Sequence, residues 1–560
     1  MSASTRGGLL RATVARVFRC SPGSASPTIR ILNREVPPRA VRLLICMGHP
    51  HSIRVMIQNQ KESKGAEDRV AVGRRAYVET YGCQMNISDG ELMEGVLSAA
   101  GYCIVSAPEE ADVVLVNTCA IREHAERRVL GRVSQLNGLK KVRPELVIGV
   151  TGCMAQRMGT SLLEKAPYVD LVMGPDAYRT LPAQLERVRS GEVSSSTDQG
   201  LDVLLEGAPD PDRRRPAGAG RFARQAPMPG GGRGKKRLQL AVLDLDSEEN
   251  YEGLEQRRTS RVAAWVPIQR GCDHRCTYCI VPYVRGDEKN RDPGEILTEI
   301  RHLAERGLTE VTLLGQTVNS YRHGDWSFPR LLREVGRVDG IRRVRFTSPH
   351  PNDVSDELIE VMATEPAVCE HLHLPAQSGS DRVLRRMVRR YTAGSFLEKV
   401  EKVRDAIPDV ALSTDIIVAF PGETEKDFHE TLELMRTVRF HEAFTYKFSP
   451  REGTPATRLP PEDFVPEDEA QHRLEELIRV SREIRAELAR SEVGRTEEVL
   501  VEGEARDPGH LLGRTRRSQV VAFPEEGRSI GDYALVRLTG TTGATFRGRV
   551  LDRAARAASA

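Results

Sequence analysis

Cysteine is scarce in this sequence, ten in 560 residues, too few for a secreted scaffold stapled by disulfides. No run of about 18 apolar residues occurs, so no transmembrane helix is expected. An excess of one charge is missing too: 82 Lys+Arg stand against 79 Asp+Glu, a net charge of +3. Such a balance says little about a nucleic-acid partner, because local patches decide that. With 39% hydrophobic and 29% charged residues, collagen, a pure coiled coil and wholesale disorder are excluded. The length points to several domains, at about 100–200 residues each.

Acids are what the first sixty residues lack. They hold nine Arg, no Lys and one acid, Glu35. That composition fits a transit peptide. It also fits an over-extended gene start, with translation beginning at Met47 or Met56. Residues 1–70 are therefore expected to be a disordered or non-native extension. The first alternative implies a mitochondrial protein, the second a cytoplasmic one.

From residue 73 to 190 the pattern is an α/β domain. "RRAYVETYG", "ADVVLVNTC", "ELVIGVTGC" and "VDLVMG" read as strands, several of them short apolar runs of the buried parallel kind. Helical stretches separate them, as a parallel sheet requires. Residues 191–237, rich in Gly, Pro, Ser and Arg, read as a flexible insertion or linker. Residues 258–490 resume the alternation, with strand candidates "RVAAWVPIQ", "EVTLLGQ", "RRVRFTS", "EHLHLPAQ", "ALSTDIIVAF" and "EAFTYKFSP". Six βα units suggest a partial (β/α) barrel. An amphipathic helix over 466–490 closes it, with Leu474, Leu477, Ile478 and Leu488 on one side. Residues 491–555 read as a small all-β barrel of short strands and Gly turns.

Three cysteines fall in "GCDHRCTYC": Cys272, Cys276 and Cys279, as C-x3-C-x2-C. Zinc is one reading, with His274 inside the loop. Structural zinc wants two paired ligand sets, however, and no second pair lies nearby. A [4Fe–4S] cube held by three thiolates, leaving one iron open, fits better. Three more cysteines share a different context. Cys83 in "TYGCQMN", Cys119 in "VNTCAIRE" and Cys153 in "VTGCMAQR" each end a strand at the turn into a helix. In a parallel sheet those turns lie at one carboxyl edge. The three thiols would then form a second cluster site, although buried cysteines at strand ends are also common without one. Cys20, Cys46, Cys103 and Cys369 match no such motif and read as ordinary thiols.

The C-x3-C-x2-C loop after a first barrel strand resembles the radical S-adenosylmethionine (SAM) superfamily, as does Tyr278 before its last cysteine. More widely, "ETYGCQMN–SDGE", "NTCAIRE–AE", "GCMAQR", "RGCDHRCTYCIVPYVRG", "LLGQTVNSY", "FTSPHP", "HLPAQSGSDRVLRRM–R–YT", "TDIIVAFPGET" and "FSPREGTPA" resemble the methylthiotransferase family. The resemblance spans 73–550 apart from the insertion. The terminal barrel resembles the TRAM domain, a nucleic-acid-binding module. "TYGCQMN" is similar to the subgroup acting on N6-dimethylallyladenosine in tRNA. The subgroups acting on threonylcarbamoyladenosine or a ribosomal-protein aspartate differ around that cysteine. The chain departs from the family pattern at "RGDEKN", at Thr317 where Asn is common and at Ala419 where Gly is common.

The resemblance implies two [4Fe–4S] clusters, on Cys83/Cys119/Cys153 and on Cys272/Cys276/Cys279, the second binding SAM. It implies SAM as radical source and methyl donor. It also implies methylthiolation at carbon 2 of the adenine 3′ of the anticodon. Carbon 2 carries an unactivated C–H, so cofactors must supply the chemistry. Gln316, Asn319, Ser348, Gln377 and Asp415, near barrel strand ends, are candidates for holding SAM or the base; plain strand-end hydrogen bonding is the alternative. Arg514, Arg516, Arg517, Arg547 and Arg549 are candidates for gripping phosphates of the anticodon stem-loop, though acids nearly balance bases there. A monomer served by an electron donor such as a flavodoxin or ferredoxin, with no membrane partner, completes the expectation. The rival readings are a methylthiotransferase for a protein side chain and a non-enzymatic RNA-binding protein with structural clusters.

Overall fold

The computed structural model describes residues 43–47, 53–57, 73–120, 123–191, 221–227, 236–258 and 260–551. The chain divides into two compact units, Met1–Val72 and Gly73–Ala560. In the first, Leu43–Met47 and Ile53–Ile57 pair antiparallel, where the sequence suggests no element. The rest of the 1–70 extension, and Cys20, lie outside the described residues.

In the second unit a seven-stranded sheet comes first. Arg75–Thr80, Val113–Thr118, Val147–Gly152 and Leu171–Met173 are parallel neighbours in that order, as their apolar runs predict. Val113–Thr118 and Val147–Gly152 are buried throughout, because helices cover both faces. The insertion needs correction. Lys236–Val242 adds a parallel strand beside Leu171–Met173, and Arg221–Pro227 pairs antiparallel with it. The domain therefore runs past 190 and takes back part of 191–237. Leu238, Leu240 and Val242 supply the buried face, and the Gln239 side-chain amide donates to the carbonyls of Pro167 and Val169 at 3.0 and 2.6 Å. Residues 192–220 and 228–235 of the insertion lie outside the described residues.

All six barrel strands appear where their patterns place them. Ala263–Pro267, Glu310–Leu314 and Arg343–Phe346 form one parallel half. His371–His373, Ala411–Val418 and Glu442–Lys447 form the other. A parallel bridge between Val344 and Val368 joins the halves. The helix Glu467–Glu492 packs Leu477, Val480 and Ile484 into the barrel's core, with Leu474 and Leu488 at its margin. Ile478 is instead half-buried beside Glu475 and Arg479 in a surface groove. No helix among the described residues is long and apolar enough to cross a membrane.

The terminal domain is a closed barrel of five strands, Thr496–Glu504, His510–Thr515, Val520–Pro524, Phe546–Val550 and Tyr533–Thr541. It is latched to the larger barrel. Arg343, fully buried, donates to the carbonyls of Arg514 and Glu498 at 2.8 and 2.7 Å. Arg345 donates to those of Arg516 and Thr515, both at 2.8 Å. The Arg342 guanidinium lies 3.6 Å from the Tyr533 ring centroid.

Candidate active site: two sets of three thiols

The N-terminal sheet delivers its three cysteines to one edge. Cys83 is the N-cap of helix Gln84–Ala99, Cys119 follows Val113–Thr118, and Cys153 opens the helix Cys153–Met158 directly off its strand. Two glycines permit the approach. Gly82 has φ +143°, and a Cβ there would lie 2.7 Å from the Cβ of Cys119. Gly152 has φ +92°, and its Cβ would lie 2.5 Å from the Thr118 carbonyl oxygen. Two amides then tie the turns together. Asn86 Nδ2 donates to the Thr118 carbonyl at 2.9 Å, and Asn117 Nδ2 to the Asn86 carbonyl at 2.7 Å. The Cys83 thiol is lowered to about 6, chiefly by its hydrogen bond with Cys119. Cys153 is pushed up by burial.

The second set is made within one loop. Gln269–Arg270 and Lys289–Asn290 pair antiparallel at its base. The Cys272 N–H donates to the Gly286 carbonyl at 3.2 Å, and the Cys279 N–H to the Cys276 carbonyl at 3.0 Å. Thr317 Oγ1 lies 3.1 Å from Cys272 Sγ, and Arg389 Nη1 donates to Cys276 Sγ at 3.4 Å. Burial pushes Cys279 up to about 12 and raises Cys272 as well. Buried thiols this close resist ionising together, and a bound metal reverses that preference.

The spacing of the sulfurs decides which metal group fits. A single tetrahedral zinc at ~2.3 Å from sulfur would hold its thiolates about 3.8 Å apart. Among the described residues neither three-cysteine set has all its sulfurs within 4.8 Å of one another. A four-iron cube presents its ligand positions on separate irons and so spreads its thiolates wider. The chemistry of the donors is compatible with a cube, because each set offers three thiolates and a cube is ordinarily held by cysteine thiolates. His274 is not part of either: its ring stacks on His350 at 4.0 Å and its Nε2 lies 3.3 Å from Asp353 Oδ2. His350 Nδ1 already accepts from the Asn352 N–H at 3.2 Å.

A buried charge network links the sheet-edge set to the segments that flank the loop set. Asp89, fully buried, accepts from Arg270 Nη1 at 2.8 Å and from Arg285 Nη2 at 2.7 Å. Arg285 ends the short helix Val281–Arg285 that follows Cys279, yet its Nε donates to Cys153 Sγ at 3.2 Å. Lys289 Nζ reaches Asp176 at 2.7 Å, which gives the Lys of "RGDEKN" an interdomain role. Reading cysteine spacing alone misses Asp89, Arg270, Arg285 and Arg389. The signal that could have found all four is their place inside the "SDGE", "RGCDHRCTYCIVPYVRG" and "HLPAQSGSDRVLRRM–R–YT" segments.

The other candidates separate into engaged and free. Asn319 is engaged: its amide donates to the His350 carbonyl at 2.9 Å and accepts from the His350 N–H at 2.7 Å. It shapes the "SPHP" turn and has little left for SAM or a base. Gln316 Oε1 is buried with no hydrogen-bond partner. Asp415 Oδ2 lies 3.3 Å from His373 Nε2. Ser348, Gln377 and Ala419 follow three successive barrel strands with φ of +59°, +66° and +58°. A left-handed residue at 419 explains why glycine suits that position, and such strain gathers at ligand-binding rims.

The arginines of the terminal barrel need a similar correction. Arg517 is buried against Glu492 and Glu497. Arg516 makes a two-pronged pair with Glu370 and donates to the Val368 carbonyl at 2.6 Å. Arg514 pairs with Glu502 at 2.9 Å. Arg517, buried, must be paired, and the half-buried Arg514 and Arg516 are engaged within the barrel and with its neighbour. Arg547 and Arg549 are exposed on one face of Phe546–Val550. Exposed Arg537 stands opposite Arg549 on the next strand.

Known families match in the same three blocks. Residues 75–174 match Uncharacterized protein family UPF0004, residues 266–435 the Radical SAM superfamily, and residues 490–551 the TRAM domain. A tRNA-2-methylthio-N6-dimethylallyladenosine synthase of Chloroherpeton thalassium is 41% identical, the match covering 85% of this chain and 96% of that protein. The chain belongs to the tRNA-2-methylthio-N6-dimethylallyladenosine synthase family. Enzymes of the same name from a Thermoanaerobacter species and Mycobacteroides abscessus are 41% and 42% identical, over 87% and 83% of this chain and 95% and 86% of theirs. Among solved structures, the radical SAM methyltransferase TsrM of Kitasatospora setae is similar at a TM-score of 0.47 and 12% identity, over 69% of this chain and 74% of that one.

Proposed function

We propose that the protein methylthiolates carbon 2 of N6-dimethylallyladenosine next to the anticodon of tRNA. The observation that carries this reading is the pair of three-cysteine sets, with Arg285, from the helix that follows the loop set, hydrogen-bonded to Cys153 of the sheet-edge set and to Asp89. A structural RNA-binding protein would not need two such sets brought to one domain interface, where Ile280 and Val284 pack on Ala120 and Cys153. When bound, two [4Fe–4S] clusters and SAM supply the radical, the sulfur and the methyl group.

Cys83, Cys119 and Cys153 hold one cluster; Cys272, Cys276 and Cys279 hold the SAM-binding one. Gln316, with its buried unpartnered Oε1, is the candidate acceptor for a polar hydrogen of SAM. Thr317 and Arg389 fix Cys272 and Cys276. Loop adenines of RNA can splay into a pocket, and the exposed Arg537, Arg547 and Arg549 would take the phosphates. Burying the five-carbon prenyl chain would contribute roughly 2–3 kcal/mol, as for a Leu or Ile side chain. A small flavin or iron–sulfur protein of the flavodoxin or ferredoxin class supplies electrons, to a monomer working in the cytoplasm.

The test is mass spectrometry of tRNA nucleosides from a deletion strain. The methylthio adenosine should vanish while its dimethylallyl precursor accumulates. A normal methylthio level would reject the reading. An unprenylated anticodon stem-loop should compete poorly with a prenylated one in an anaerobic reaction.

A further inference from the structure

Arg285 belongs by sequence to the radical domain, but its side chain ends among the thiols of the other. Its guanidinium has three nitrogens with three different fates. Nε faces Cys153 Sγ at 3.2 Å, Nη2 is held by Asp89 at 2.7 Å, and Nη1 is buried with no partner. The residue is 3% exposed, so water does not satisfy Nη1. An unmet donor on a buried cation is costly. The same guanidinium already bonds one thiol of the sheet-edge set, and Cys153 and Cys83 both act on its charge. Apolar packing of Ile280 and Val284 against Ala120 and Cys153 fixes the approach, and Asp89 leaves the guanidinium little freedom to turn.

We propose that Arg285 is a positioning residue donated by the radical domain to the N-terminal cluster, its Nη1 hydrogen-bonding a cluster sulfur and its charge setting that cluster's reduction potential. The inference rests on the two-cluster reading above. Hydrogen bonds to sulfur and local charge are the levers by which proteins tune such clusters. A guanidinium favours the more negative, reduced state. Asp89 works against it, and Arg270 shares Asp89's charge. The potential of the N-terminal cluster is thereby tied to docking of the radical domain, although all three of its thiolates come from elsewhere.

The experiment uses the full chain carrying Cys272→Ala, Cys276→Ala and Cys279→Ala, reconstituted anaerobically, so that one cluster remains. Its midpoint is read by potentiometric titration with electron paramagnetic resonance, and iron is counted alongside. Arg285→Gln should shift the reduction equilibrium at least tenfold toward the oxidised form, ~59 mV for one electron. Asp89→Asn should shift it the opposite way, because the arginine charge is then less compensated. Opposite shifts with iron retained support the role. Unchanged midpoints, or shifts of one sign, overturn it, since a merely structural network would not move the two variants apart. If Arg285→Gln fails to load iron, Asp89→Asn decides alone: a rise supports the proposal, and no change or a fall overturns it. A parent that binds no iron would overturn the two-cluster reading as well, which separates the two failures.

Discussion

The loop thiols lie within eight consecutive residues, 272 to 279, while the sheet-edge thiols are spread from 83 to 153. The loop site is closed by two strands of two residues each and by hydrogen bonds of its own backbone. The sheet-edge site exists only when three strands are in register and two turns have folded onto each other. Bringing its cysteines together therefore costs more loop-closure entropy, and that cost falls on the folding of the whole domain. One site tolerates damage elsewhere; the other reports on it.

The largest test of this contrast is to remove each set in turn. Wild-type protein should bind about eight irons, from two four-iron cubes. Changing Cys272, Cys276 and Cys279 together to Ala should leave about half of the iron and no reductive cleavage of SAM. Cys83→Ala should keep SAM cleavage and abolish the methylthio product. Equal loss of both activities in the two variants would erase the division of labour.

Glycine substitutions should give the next largest effect. At Gly152, φ is +92° and an added Cβ would meet the Thr118 carbonyl oxygen at 2.5 Å; at Gly271, φ is +74° and the Asp287 carbonyl oxygen would lie at 1.9 Å. Each change to Ala should cost about 2–4 kcal/mol where it acts. Gly152→Ala should lose iron from the sheet-edge set and lower the melting temperature, while SAM cleavage survives. Gly271→Ala should do the reverse, with chemistry lost and melting of the N-terminal sheet unchanged.

Acid should distinguish the two regions as well. His441 is lowered to about 4 by burial, and its Nδ1 accepts from the Leu412 N–H at 3.2 Å. His371 is lowered further, also by burial. The unfolded chain takes up these protons first, near pH 6.5, so the stability of the second half-barrel falls as pH drops from 6.5 toward 4. The loss should reach about 3 kcal/mol from His441 alone, since each tenfold weakening of proton binding on folding is worth about 1.4 kcal/mol, and His371 adds to it. Denaturant melts followed at that half-barrel should show it, and His441→Gln should flatten the slope.

The smallest effect concerns RNA. Arg547→Ala with Arg549→Ala should weaken anticodon stem-loop binding about tenfold at physiological salt and reduce the salt slope by about 2. Arg516→Ala should instead lower stability, with the salt slope unchanged. A reduced slope in Arg516→Ala would return that residue to the phosphate grip.

Much of this architecture is legible because it repeats. The six barrel strands, the four apolar strands of the N-terminal sheet and both cysteine sets carry local patterns that folding preserves. What stayed hidden is pairing. Nothing local says that Arg516 and Arg517 are spent on Glu370 and Glu492, or that Asn319 is consumed by the backbone of His350. Lys236–Val242 is masked by the basic, glycine-rich run before it, although its Leu238–Leu240–Val242 alternation is that of a buried strand. Arg285 looks like one more arginine in a chain full of them until its distance to Cys153 is known.

Arg343 and Arg345, gripping the carbonyls of Arg514, Thr515 and Arg516 from inside the larger barrel, make the terminal barrel a fixed arm rather than a swinging one. An RNA held at Arg537, Arg547 and Arg549 is then measured as much as bound. With phosphates gripped there, the barrel would act as a calliper, and the nucleotide one fixed span away would be the one presented to the two cysteine sets.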